Sequence, residues 1–536
     1  MEKMENIIPF KNSRKDWLKK ALRIIKNPIS YIVLMIILLA SFMRLYKISE
    51  YMTFLGDEGR DALVAREILG GNLTLLGPRA SAGDFFLGPI YYYMIAPFLA
   101  LFNYDPVGPA VMVALFGVAT VFLVYYFTQK FFGSTAGLIA SFLYAISPLV
   151  IAFSRSSWNP NPVPFFTLLL MLSLYFSVKK NSLKLSVITG ILLGILFQLH
   201  YIATFIGIII FLFVLVGNLF VSGKQLIKKY ISQFVSMLAG FIFSFAPFLL
   251  FELKHGFPNI RTIFGFVFVD NFQEEKVKTL SHLEIVTDVL FRLFARLTIN
   301  FPPPEQLSRF SDFNIQMMQI FVILLIFVSV IVLFLQKNKL LVTLIAMWLF
   351  VGVFLFGFYK KDIYDYYYGF MFPIPFILTG SAISFFGNLK GKYRYVGMLT
   401  GFLVFLILSV TLISNNPFQF QGNNQKREAE NIANKVIEVT EGKPYNFALI
   451  TNGNSDHVYR YFLEINNREP IVIENLQIDP NRDSVTDQLI VICDIECQPI
   501  GHPLWEVAGF GRAEIVGEWK VPFVTIYKLV KYDGES

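Results

Sequence analysis

Three short stretches of the chain gather side chains able to do acid–base or phosphate chemistry. The first is Gly56-Asp57-Glu58-Gly59-Arg60-Asp61, running on to Arg66-Glu67-Ile68-Leu69 and Gly70-Gly71. Gly56 and Asp57 suit the start of a helix, and Gly70-Gly71 suits its end. A spacing of three then puts Asp57 and Arg60 on one face, and Asp61 shares it. A carboxylate beside a guanidinium can be a base held in place, and a cation at a helix N-terminus can take a phosphate. A solvated amphipathic helix whose first-turn acids are favoured by the helix dipole has the same pattern.

The second stretch is Phe153-Ser154-Arg155-Ser156-Ser157-Trp158-Asn159-Pro160-Asn161-Pro162, where two Asn-Pro pairs impose extended or turn backbone. Arg155 follows an apolar run, at the depth where a lipid phosphate would lie. A snorkelling arginine beside an interfacial Trp158 reads equally well. The third is Tyr359-Lys360-Lys361-Asp362-Ile363-Tyr364-Asp365-Tyr366-Tyr367-Tyr368. An anionic ligand would account for Lys360 and Lys361, and so would a tyrosine belt whose charge Asp362 and Asp365 balance. Lesser candidates are Asp84, His200 and the Glu252-Leu253-Lys254-His255 stretch, all at outer helix ends. No Walker loop, Ser–His–Asp signature, Rossmann glycine set or metal motif is recognisable.

The elements that must position these residues are set by composition. Residues AVILMFWYC make up 55% of the 536-residue chain before its 35 glycines are added, and charged residues only 16%. Soluble domains run at about 45–50% apolar with glycine included and about 25% charged. Disorder, collagen and a disulfide scaffold are excluded, and too little polar surface remains for a soluble fold. The expectation is a mainly α, polytopic membrane protein. Apolar runs near 29–45, 106–128, 135–153, 163–178, 185–199, 203–220, 231–251, 317–335, 340–358, 367–386 and 396–414 predict eleven transmembrane helices.

A further apolar piece, 90–102, contains Pro97 and is short for a span. If it does not cross, Lys130, Lys179, Lys180, Lys184, Lys224, Lys228, Lys229, Lys337, Lys339, Lys390, Lys392 and Arg394 all face the cytoplasm with the basic N-terminus 1–28. The 90–102 piece then lies in or dips into the outer interface. The formal charge of +8 thereby reports topology rather than a nucleic-acid partner.

On this reading residues 29–414 form the membrane domain, with a long first outer loop at 46–105 and another at 252–316. Residues 415–536 form a small extracytoplasmic α/β domain. Its strand-like runs are FALIT, EPIVIE, QLIVICD and VPFVTIYKLV, and KREAENIANKVIEVTEG reads as an amphipathic helix. Cys493 and Cys497 lie in this domain, where either a disulfide or two thiols is possible.

The ordered set Asp57-Glu58-Gly59-Arg60, the Gly88-Pro89-Ile90-Tyr91 start of a non-spanning helix, Arg155, and Tyr366-Tyr367-Tyr368 with Pro373 and Pro375 resembles the C-type glycosyltransferase superfamily. The similarity is greatest to the protein O-mannosyltransferases and aminoarabinose transferases of the glycosyltransferase 39/83 group, over residues 30–415. Asn159 and Asn161 stand where relatives tend to place an acid.

The resemblance implies a polyprenyl-phosphate sugar donor and an acceptor hydroxyl on lipid, glycan or protein, met on the outer face of the cytoplasmic membrane. Asp57 would be the general base of an inverting displacement. Glu58 would orient the acceptor or hold the loop. Arg60, Arg155 and Lys360 or Lys361 would neutralise the leaving phosphate, with Tyr366 donating to it. Asp84, Asn159 and His200 are further substrate-site candidates. No metal is required, and no cofactor is implied. The rival readings are a transporter or flippase of lipid-linked sugars and a non-catalytic scaffold. The first predicts ionisable groups at mid-membrane, which the runs lack.

Overall fold

A computed structural model describes residues 27–80, 83–221, 226–265, 281–359, 361–532 and 534. The basic stretch 1–26 and Lys360 lie outside the described residues.

The first helix, Pro28–Leu45, is started by Asn27, whose side chain accepts from Ile29 N at 3.0 Å, with Pro28 in the first turn. Among the described residues, eight helices are long and apolar enough to cross a membrane: Pro28–Leu45, Val107–Phe132, Val163–Lys180, Tyr201–Phe220, Leu226–His255, Asp312–Phe334, Lys339–Phe356 and Gly391–Ser414. The pair Asp365–Met371 and Pro373–Gly387, bent by 57°, makes a ninth if it is one span. Two of the eleven predicted spans fall short of this measure. The run 135–153 is divided at Ser147, because Pro148 cannot donate to the ladder; its parts are Ser134–Ile146 and Pro148–Phe153. The run 185–199 is the 17-residue helix Leu183–Leu199. Ile90–Leu101 is a helix of 12 residues, shorter than a crossing needs.

With lipid as solvent, close backbone approach holds helices together. Leu183–Leu199 meets Leu226–His255 through paired glycines. A Cβ on Gly190 would lie 1.8 Å from the Met237 carbonyl oxygen, and one on Gly240 would lie 2.1 Å from that of Val187.

The C-terminal domain has four strands, β1 (Asn446–Ile450), β2 (Gln488–Cys493), β3 (Ala513–Val521) and β4 (Val524–Lys531), in the order β1-β2-β4-β3. β1 and β2 are parallel; β4 is antiparallel to β2 and to β3. Three of the predicted strand runs become β1, β2 and β4, and the predicted amphipathic helix becomes Gln425–Val439. EPIVIE is not a strand. Ile471 and Val472 are exposed while Pro470 and Ile473 are buried, and the segment is tied beside β1 by the Ile471 N–H to Tyr445 O bond of 2.9 Å. Cys493 and Cys497 are joined in a disulfide.

β1 and β2 are buried along their whole length. One face of the sheet, with Phe447, Leu449, Ile490, Ile492 and Ile526, is continuous with the core of the helical bundle. The other, with Ala448, Ile450, Leu489, Val491 and Leu529, closes on Val507 and Phe510. The domain is therefore packed onto the loop end of the bundle, over the first long loop.

Candidate active site

The helix Gly56–Leu69 forms as its residues predict, with Asp57 and Glu58 in the first turn and Gly70 closing it. Glu58 is the element that starts it. Its carboxylate accepts from Leu55 N at 3.0 Å and from the Thr53 hydroxyl at 2.5 Å. Glu58 is buried in this cap, and burial raises its pKa above the ordinary carboxylate value. Glu58 thus holds the loop.

Arg60 joins two carboxylates. Its Nη1 meets Asp57 Oδ1 at 2.8 Å, while Nε and Nη2 both donate to Asp61 Oδ1, at 3.0 and 2.7 Å. The two acids differ sharply in environment. The Asp57 side chain is 52% exposed and that of Asp61 only 1%. Burial raises Asp61 to about 7 despite the neighbouring Arg60. Tyr91 and Tyr92, on Ile90–Leu101, lie within electrostatic reach of Asp61.

The other two stretches come to the same place. Ser156 Oγ accepts from Thr53 N at 3.1 Å, and Ser157 Oγ lies 2.8 Å from the Tyr91 hydroxyl. Trp158 packs on Tyr366, with ring centroids 4.4 Å apart. A cavity of about 20 Å³, room for one water, lies between the second and third stretches beside Ser154, Asn161, Thr120 and Tyr366. Asn159 donates to the carbonyl of Leu199 at 2.6 Å and so ties down the end of Leu183–Leu199. The next residue, His200, is buried, stacks on Tyr201 and faces Tyr366 and Tyr367. Burial lowers His200 to about 3, which keeps the imidazole neutral at physiological pH.

Arg155 is placed differently from a phosphate ligand reached from solvent. Its guanidinium donates to the carbonyls of Met43 (2.9 Å) and Tyr46 (2.6 Å), at the end of the first helix. The rings of Tyr51 and Phe418 lie over it, each 5.1 Å away. Burial lowers its pKa to about 10. A cation against the C-terminal carbonyls of a helix is a stabilising cap. Asp84 is 84% exposed and pairs with Arg79 at 2.8 Å. Lys361 is exposed on the Tyr-rich loop. Glu252 is buried and caps Pro258–Phe264, accepting from Asn259 Nδ2 at 2.8 Å and Ile260 N at 2.9 Å.

Two arginines emerge that no motif announced. Arg292 and Arg296, one turn apart on His282–Thr298, converge on Asp365, at 2.7 and 2.9 Å. Tyr368 also donates to Asp365, and its ring lies 5.7 Å from Arg292. The spacing of four on an amphipathic helix was the available signal, but nothing in it pointed to Asp365.

The C-terminal domain reaches the same helix. The helix His457–Ile465 and the turn before it lie against Gly56–Leu69 so closely that a Cβ on Gly56 would fall 2.4 Å from Ser455 Cβ. One on Gly59 would fall 2.6 Å from Val458 N. Arg66 pairs with Glu464 at 2.7 Å, and Lys426 with Asp105 at 2.7 Å. His457 lies within electrostatic reach of Arg60 and Asp57.

Among the described residues, no group of three or more His, Cys, Asp or Glu side chains converges as metal ligands would.

Comparison of the whole architecture with solved structures places it. The crystal structure of ArnT from Cupriavidus metallidurans bound to undecaprenyl phosphate matches with a TM-score of 0.56 at 12% identity, covering 96% of this chain and 98% of that one. The fold is that of the C-type glycosyltransferases. An oligosaccharyltransferase from Archaeoglobus fulgidus in its apo form shares this C-type fold, with a TM-score of 0.52 at 13% identity over 90% of this chain and 71% of that one. The family described as dolichyl-phosphate-mannose-protein mannosyltransferase matches residues 87–251. The Bacillus subtilis protein YkcB, which carries a provisional name as a mannosyltransferase, is 30% identical over 126 residues. That stretch is 24% of this chain and 17% of the length of YkcB. The C-type fold explains why clusters around positions 57, 155 and 366 meet at one end of the bundle. With eight helices long and apolar enough to cross among the described residues, the chain is a multi-pass membrane protein.

Proposed function

We propose that the protein is a membrane glycosyltransferase that moves a sugar from a polyprenyl-phosphate donor to an acceptor hydroxyl on the outer face of the cytoplasmic membrane. The observation that carries this reading is the assembly of three stretches, some 100 and 300 residues from the first in sequence, around a half-exposed carboxylate held by an arginine. The relatives agree with it in chemistry: a mannosyltransferase family in one comparison and a fold captured with undecaprenyl phosphate in another.

Asp57 is the general base. One of its oxygens is held by Arg60, and half its surface is open to solvent, so an acceptor can approach. Asp57 takes the proton from the acceptor hydroxyl as that oxygen attacks the anomeric carbon. The bond from that carbon to the phosphate oxygen breaks, the lipid phosphate leaves with the electron pair, and configuration inverts. The phosphate gains negative charge as it leaves, and cations aimed at it lower the barrier. Arg60, 24% exposed, and the half-buried Arg292 are the arginines of the site open to solvent, and Lys361 stands on the adjoining loop. Arg155 contributes through the backbone it caps. Tyr366 and Trp158, backed by the buried His200, form an aromatic wall against which a sugar face can pack.

The test is release or transfer of sugar from a panel of radiolabelled polyprenyl-phosphate sugars by the purified protein, with and without chelator. Asp57→Asn should lower turnover by about a hundredfold or more with donor binding retained. Full transfer by Asp57→Asn sinks the base assignment. Saturable donor binding without turnover, lost in Arg60→Ala, would mean a carrier of lipid-linked sugars instead.

A further inference from the structure

Asp61 has no role in the reaction just described, yet its placement is costly. It is a carboxylate with a side chain 1% exposed, and only one of its oxygens is satisfied. Oδ1 takes two N–H groups of Arg60, while Oδ2 is buried with no partner. A buried oxygen without a partner destabilises a fold by an amount that packing alone gives no reason to retain. What the arrangement does accomplish is geometric. Nε and Nη2 are both occupied, so the plane of the guanidinium is fixed and only Nη1 points to Asp57.

We propose that Asp61 is the positioning residue of the Asp57 base: it locks Arg60 from behind and takes up part of its charge, so that Asp57 is oriented without being over-neutralised. This rests on the glycosyltransferase reading above. A carboxylate that shares its cation with a second carboxylate is a stronger base than one that has the cation to itself. The groups around Asp61 are few. Its own helix supplies Asp57, Glu58 and Arg60; Ile90–Leu101 supplies Tyr91 and Tyr92; the docked C-terminal domain brings His457 within electrostatic reach of Arg60 and Asp57. Of these, burial places Asp61 itself at about 7. Protonation of Asp61 returns the whole Arg60 charge to Asp57. The rate should therefore step upward with pH near neutrality, as Asp61 ionises.

Asp61→Asn keeps the shape and one accepting oxygen but removes the charge. With the polyprenyl-phosphate sugar panel as donor, the variant is expected to sit on the low-pH plateau throughout. Its kcat at pH 8 should be roughly tenfold below wild type, with the step gone and donor KM within about twofold. Arg60→Lys is the second variant. A lysine keeps the charge but cannot bond both acids in a fixed plane; it should lose kcat to a similar extent and also lack the step. A residue that only packs would lower folded yield without touching the step. The inference is overturned if Asp61→Asn retains the step, or keeps wild-type kcat at pH 8. Asp57→Asn in the same assay separates the two ideas. If it is inactive while Asp61→Asn matches wild type, only the positioning role falls; if it is fully active, the base reading falls with it.

Discussion

Arg60 faces two carboxylates in unlike surroundings, and that asymmetry can be measured without any substrate. The burial that raises Asp61 to about 7 acts in the folded state, whereas an unfolded aspartate titrates near 4. Between those values the native state binds the extra proton, so stability falls as pH rises through the window and stays lower above it. Asp61→Asn removes this dependence. The difference in unfolding free energy, variant minus wild type, should grow in the variant's favour from pH 5 to pH 8, by an amount on the order of a few kcal/mol. A difference that does not change with pH would mean that Asp61 stays ionised across the range. In the sequence, Asp57, Arg60 and Asp61 were visible as a set because helical spacing is rigid. That one acid is half open and the other sealed depends on packing with distant elements such as Ile90–Leu101, which brings Tyr91 and Tyr92 within electrostatic reach of Asp61 and which periodicity does not reveal.

At the scale of elements, the helix Gly56–Leu69 is shared between the bundle and the C-terminal domain. Gly56 and Gly59, spaced to lie on one face, were legible only as a helix start. Their function is to admit Ser455 and the N-terminus of His457–Ile465. Phe54 adds edge contacts to Tyr461 and Phe462, and Tyr461 donates to the carbonyl of Tyr104 at 2.5 Å. Gly59→Val would place branched carbon atoms where the Val458 backbone now lies. It should lift the docking helix at a cost of about 1–3 kcal/mol, expose residues 415–425 to limited proteolysis and lower sugar transfer about tenfold. Unchanged proteolysis and unchanged transfer would show that the interface yields without consequence. The domain itself was largely legible, since apolar strand-like runs mark β1, β2 and β4, and amphipathicity marks Gln425–Val439. EPIVIE misled because its apolar residues sit in an exposed extended segment. β3, at the opposite edge of the sheet, has no fully buried position and so offered no core-facing run to read. What could not be read was any contact between distant parts of the chain: Arg292 with Asp365, 73 residues apart, is a short example, and Gly56 with Ser455 a long one.

For the whole molecule, contacts at the loop end constrain how the chain threads the bilayer. The loop after residue 45 and the loop at 154–162 touch through Thr53 and Ser156 and through Tyr91 and Ser157, so they lie on one side. Val107–Phe132 carries the chain away from that side, so the broken pair Ser134–Ile146 and Pro148–Phe153 must bring it back. The same reasoning applies to Leu183–Leu199. It follows Val163–Lys180 and ends at His200, which faces Tyr366 beside Trp158. Its 17 residues are at the short end of what a crossing takes. We predict that, with the bent pair as one span, these two short segments complete eleven crossings, an odd number that would leave residues 28 and 414 on opposite sides. By the positive-inside rule the lysine-rich turns would then put the cytoplasm on the side away from the site. The prediction is testable by cysteine labelling, because the two native cysteines are paired with each other. In a background with Cys493 and Cys497 changed to serine, Asn72→Cys should react with an impermeant maleimide in intact cells. Lys180→Cys, at an exposed position on the opposite side, should react only after permeabilisation. Labelling of both in intact cells would mean that Ser134–Phe153 does not cross. Labelling of Lys180→Cys alone would invert the topology and require a donor presented on the cytoplasmic face.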